Sequence, residues 1–229
     1  MVQEIYTILK EHYYIPLYFI TWMVSVFTYR KYFDTALKYF PIFIAYTFFT
    51  ELLGYFIKFN DNFQFFSDER YSWRNIIIYN IYQVVTFLFF FWVYFKTVQS
   101  KEFKKWIKYG TIISMGCYII SLFFQNPFYI SLYYADVVGS WVLLMCIVFY
   151  FIEKQKEKNP YPQKNNMLFW ISLGNAIFYL IVPYILFIGN TNDKLWFSLH
   201  LRTVLLILIV LMYLLFMIGM IAGKRKAFR

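Results

Sequence analysis

The chain predicts an all-α integral membrane protein, a seven-transmembrane helix bundle with its N-terminus outside and its C-terminus in the cytoplasm. Three observations carry that expectation. Of 229 residues, 61% are apolar and only 15% charged, against ~45–50% and ~25% in soluble domains. The apolar residues gather into seven runs separated by charged or turn-forming stretches. The basic residues also alternate from loop to loop. Sixteen of the 22 Lys and Arg fall in the first, third and fifth loops and the final segment, with Lys10, Lys58, Arg70, Arg74, Lys194 and Arg202 on the opposite side. Cytoplasmic loops carry the Lys/Arg excess, and all of these loops are short enough for that bias to set orientation.

Each run is justified in turn. The first, residues 13–29, has Pro16 in its opening turn, where a missing N–H is tolerated; the basic residues Arg30, Lys31 and Lys38 follow it. The second is 39–57, followed by a polar loop with Asp61, Asp68 and Glu69. The third is 75–95, ahead of a loop with Lys96, Lys101, Lys104, Lys105 and Lys108. The fourth, 109–124, turns at Gln125-Asn126-Pro127 into the fifth, 128–152. A Lys-rich loop broken by Pro160 and Pro162 leads to the sixth, 167–188. The seventh, 196–223, has 21 uncharged residues after Arg202 and ends on a basic tail. At ~1.5 Å per residue that stretch crosses a hydrocarbon core of ~30 Å. Nothing is left over for a separate soluble domain, so one membrane domain over 1–229 is expected.

Composition excludes several functions. The net charge of +10 is spread over loops as topology demands, so no basic face is left to read nucleic acid. Cys117 and Cys146 lie in apolar runs without metal-ligand spacing and read as small core residues. Residues 1–10 lack the basic n-region of a cleavable signal, and the first run has no small-residue cleavage site. Aromatic residues make up 26% of the chain. They are explained by codon bias and membrane packing, with Trp and Tyr at span ends as interfacial anchors. The expected environment is a lipid bilayer, most simply the bacterial cytoplasmic membrane, and no cofactor is implied.

Helical spacing collects the polar residues of the spans onto single faces. Thr47, Thr50, Glu51, Gly54 and Lys58 share one face, as do Ser114, Cys117, Tyr118, Ser121 and Gln125, and again Ser172, Asn175, Ala176, Tyr179 and Pro183. Small and hydroxylated residues are ordinary helix-packing glue. Glu51 and Asp136 are different. They stand ~5 and ~6 Å from the middle of their runs, too deep to reach water by stretching, so each requires protonation, a cation or a wet cavity. Arg202 is the cation at a comparable level, either paired with one of them or snorkelling to the headgroups. His12 and His200 are the only histidines and the weak metal candidates; two carboxylates and two histidines fall short of a recognised zinc pattern.

The polar residues Glu51, Asn80, Gln83, Gln125, Asp136, His200 and Arg202 all fall in the outer halves of their runs. The inner halves hold only scattered Ser, Thr and Asn175 besides apolar residues. The pattern predicts a polar pocket open to the outside and closed by apolar packing below. Such a pocket suits a module that binds a small or lipophilic ligand and acts through a membrane or cytoplasmic partner protein, as a sensor or accessory subunit. Two alternatives stay open. A small-solute transporter with a three-plus-one-plus-three helix plan is hinted at by faint repeats about 120 residues apart. An intramembrane metal- or carboxylate-dependent enzyme is the other.

Overall fold

The structure, a computed structural model, describes residues 12–59, 63, 70, 74–157 and 162–225. Lys10, the loop acids Asp61, Asp68 and Glu69, Lys158 and the last four residues of the basic tail lie outside the described residues. Every regular element among the described residues is helical: α1 (Tyr14–Phe27), α2 (Phe40–Phe59), α3 (Ile76–Thr97), α4 (Lys101–Phe124), α5 (Tyr133–Lys156), α6 (Met167–Thr191), the short α7 (Asp193–Ser198) and α8 (Leu201–Ala222). Six of these, α2 to α6 and α8, are long and apolar enough to cross a membrane. The chain is an all-α, multi-pass membrane protein. α1 is equally apolar but has 14 residues, which rise only about 21 Å.

Three helices begin or break away from the expected boundaries, each for a local reason. α4 starts at Lys101, two turns before the apolar run, because lysine is a good helix former and the start is capped twice. Ser100 Oγ accepts from Phe103 N–H at 3.4 Å. The Glu153 carboxylate accepts from the N–H groups of Gln99 and Ser100 at 2.8 and 2.7 Å. α5 starts at Tyr133 rather than at residue 128, leaving residues 127–132 non-helical despite their apolar character. The last run is broken at His200, whose φ of 48° is left-handed. His200 N–H donates to Phe197 O and Leu199 N–H to Leu195 O, which closes α7 before α8 begins. Histidine is one of the non-glycine residues enriched in that conformation.

By their internal contacts the residues form two compact units, Met1–Leu52 with Lys158–Phe178 and Thr203–Arg229, and Leu53–Glu157 with Tyr179–Arg202. In the first unit, Tyr18 packs edge-on against Tyr213 at 4.6 Å and Phe40 against Phe216 at 5.6 Å. α6 and α8 meet at glycines. A Cβ on Gly219 would stand 3.0 Å from Met167 O, and one on Gly174 3.2 Å from Met212 O. The end of α8 is tied down. Lys31 Nζ donates to the carbonyls of Met220 and Ile221 at 3.2 and 2.6 Å, where the partial negative charge of a helix C-terminus favours a cation. Arg225 pairs with Asp34 at 3.0 Å and lies over the Phe33 ring. Lys224 N–H donates to Asn165 O. Tyr32, fully buried beyond the end of α1, donates to Ser25 O. Burial pushes its hydroxyl well above the ordinary tyrosine range, so it stays a donor.

Candidate functional site

The second unit holds the buried carboxyl of Asp136 in a set of polar and aromatic side chains from α3, α4, α5 and α6. Its framework is the segment 127–132, which links α4 to α5. Asn80, buried one turn into α3, spends its whole amide on that segment. Nδ2 donates to Pro127 O at 2.8 Å and to Ile130 O at 3.1 Å, and Oδ1 accepts from Leu132 N–H at 3.0 Å. Those backbone groups have no helix to satisfy them, and burying them bare would be costly. The sequence predicts Asn80 as a pocket-lining residue; its geometry makes it the clamp on segment 127–132. Gln125 is buried beside the same segment, with Nε2 3.4 Å from Ser131 O and Oε1 without a partner. Arg74 lies over the ring of Tyr129 at 4.2 Å.

Because α5 begins at Tyr133, Asp136 falls in its first turn. There the open N–H groups of a helix start favour negative charge. The side chain is 4% exposed. Tyr118 Oη, on the buried face of α4, donates to Asp136 Oδ1 at 2.5 Å. Among the described residues no donor reaches Oδ2. One turn further along α5, Ser140 Oγ turns back to Asp136 O at 2.6 Å. Gly139 leaves the space for Phe87: a Cβ there would lie 2.5 Å from the Phe87 ring. Phe87 in turn packs against Tyr179 at 5.3 Å and Tyr118 at 6.4 Å. Tyr179 has Gln83 as a side-chain hydrogen-bond partner. The result is a carboxyl–phenol pair with a second phenol nearby, floored by a fully buried phenylalanine.

The other predicted site residues are placed differently. Glu51 belongs to the first unit, where it is half-buried and accepts from Tyr18 Oη at 3.5 Å. His12 is buried in that unit, with Nδ1 2.9 Å from Tyr14 Oη. His200 and Arg202 belong to the second unit and are both exposed. The ion pair anticipated between Arg202 and Asp136 is not formed, since the carboxyl takes the Tyr118 hydroxyl instead. The second unit therefore brings together Asn80, Gln83, Gln125 and Asp136 and leaves His200 and Arg202 outside. Among the described residues no three His, Cys, Asp or Glu side chains gather closely enough to hold a metal ion.

The phenols Tyr118 and Tyr179 and the floor Phe87 are what sequence reasoning missed. Tyr118 and Tyr179 were visible on polar helical faces, but no signal tied either to Asp136. Chemically, the arrangement offers an acceptor oxygen at Asp136 Oδ2, a second at Gln125 Oε1, and aromatic faces beside them. Comparison with known proteins adds no identity: no protein-family model matches the chain, and neither a curated protein nor a solved structure is similar to it.

Proposed function

We propose that the chain is one seven-helix membrane domain that binds a small or lipophilic ligand in an outward-facing polar pocket and acts through a partner protein, as a sensory or accessory module. The seventh span is α1, extended by the helical turn at Tyr29–Lys31. The orientation, N-terminus outside and C-terminus in the cytoplasm, rests on the Lys/Arg bias. It sets the 127–132 segment and the first turn of α5 on the outer side. A cysteine placed at Arg225 in a cysteine-free background is expected to react with a membrane-impermeant maleimide only after cells are opened, and one placed at Asn126 to react in intact cells. The reverse pattern would invert the pocket.

The observation that carries the ligand reading is Asp136 itself. A buried carboxyl is expensive in a membrane, and this one spends one oxygen on Tyr118 and, among the described residues, meets no donor at the other. Aromatic faces and a single well-placed acceptor suit a ligand with an apolar body and one donor group. The test is thermal unfolding of the purified chain against a panel of amphiphilic amines, alcohols and neutral lipids. A ligand at about 100 times its Kd contributes roughly 2.7 kcal/mol, so a rise of roughly 5 °C or more is expected. Asp136→Asn keeps an acceptor for Tyr118 and should fold, yet lose that rise. A panel that shifts both proteins equally, or neither, would defeat the reading. Solute uptake into proteoliposomes would favour a carrier, and stoichiometric bound zinc an enzyme.

A further inference from the structure

In the first unit, Asn175 of α6 is fully buried, and among the described residues neither its Oδ1 nor its Nδ2 has a hydrogen-bond partner. The hydroxyls of that unit behave otherwise. Thr21 donates to Leu17 O, Ser25 to Trp22 O, Thr28 to Val24 O and Thr47 to Phe43 O. A hydroxyl on a helix can satisfy itself on its own preceding turn. An asparagine amide carries two donor hydrogens and an acceptor and has no such self-contained solution. Asn80 shows what the same side chain does at the same burial when partners are supplied, with three bonds through both of its polar atoms.

Leaving a buried donor or acceptor bare costs about 1–3 kcal/mol, and leucine at this position would carry no such penalty. The amide must therefore have a partner that both donates and accepts. Size restricts it. The adjoining Gly174 already brings α8 to contact, with a Cβ there 3.2 Å from Met212 O and 3.4 Å from Met212 Cγ. Phe216 Cε1 stands 3.2 Å from the same point. Asn175 also stands about 12 Å along the helix from Met167, well inside the apolar span. We infer that Asn175 holds a buried water molecule within the first unit. Water supplies donor and acceptor from one small molecule, and buried waters with two to four such partners are regular parts of protein interiors. A polar step then lies in α6 one residue beyond Gly174, the position where Met212 and Phe216 of α8 close in. This site does not depend on the ligand reading of Asp136, which belongs to the other unit.

The test is microsecond X-ray radiolysis of the full chain in lipid nanodiscs, which turns bound water into hydroxyl radicals that oxidise the side chains beside it. Met212 is expected to be oxidised faster than Met220, fully buried on the same helix, and faster than the half-buried Met217, which reports labelling from outside. Asn175→Leu should lower the Met212 rate by about threefold or more and lower the unfolding temperature. Met212 labelling no faster than Met217 in the unmodified chain would overturn the inference without any variant. So would an unchanged Met212 rate, or a raised unfolding temperature, in Asn175→Leu.

Discussion

Asn80→Ala is expected to cost about 3–5 kcal/mol of stability, near the upper end for a single substitution. The substitution removes three hydrogen bonds at once and leaves Pro127 O, Ile130 O and Leu132 N–H without their partner. Each buried backbone group left bare is worth about 1–3 kcal/mol; some regain water as the segment loosens, which holds the total below the full sum. Asn80→Asp separates the contributions. It keeps the acceptor for Leu132 N–H, loses both donors, and sets a carboxyl against two carbonyl oxygens, so it should fall at least as far as alanine. Thermal unfolding in detergent, followed by monodispersity on size-exclusion chromatography, reads the effect. An Asn80→Ala protein that unfolds within a degree of the parent would mean that segment 127–132 is held by something else.

Gly139→Leu is expected to be comparably damaging and to act directly on the site. Even alanine places a Cβ 2.5 Å from Phe87 Cε2 and 2.7 Å from Cδ2, and overpacking of that kind costs typically about 1–3 kcal/mol. Leucine adds three more heavy atoms to the same collision. Phe87 has little room to retreat. It is fully buried, stacked on Phe91 at 5.7 Å, with Tyr179 and Tyr118 on its other sides. Pressure on its ring would reach Tyr118 and loosen its bond to Asp136. The pair Gly139→Ala with Phe87→Leu checks the contact. The smaller ring-less side chain should recover part of the alanine defect, giving a coupling energy in the range of about 0.5–3 kcal/mol found for touching residues. Strict additivity in unfolding free energy would show that the two residues do not press on one another.

Much of this fold was legible because a bilayer imposes its solvent on the sequence. Long apolar runs must be helices where no water can satisfy the backbone, so α2 to α6 and α8 could be read from composition. The misjudged boundaries are places where a distant group supplies what local sequence lacks. Residues 128–132 look like the start of a helix, and it takes the Asn80 amide, some fifty positions earlier, to hold them out of one. The break at His200 carries neither Gly nor Pro, so hydropathy ran straight through it. α4 begins in a lysine-rich stretch that reads as loop only when hydrophobicity is the sole guide. In the site, the residue types and faces were readable but the pairings were not. Arg202 was expected either to pair with Glu51 or Asp136 or to snorkel, and Asp136 takes a phenol instead, because which helices adjoin is decided by packing that no periodicity encodes.

The tie between Lys31 and the carbonyls at the end of α8 spans 190 positions of chain. A ribosome adding about 5–20 residues per second needs roughly 10–40 s to cover that distance. Throughout that interval α1 waits in the nascent polypeptide for a clasp not yet synthesised. The first unit thus closes only once α8 has been made.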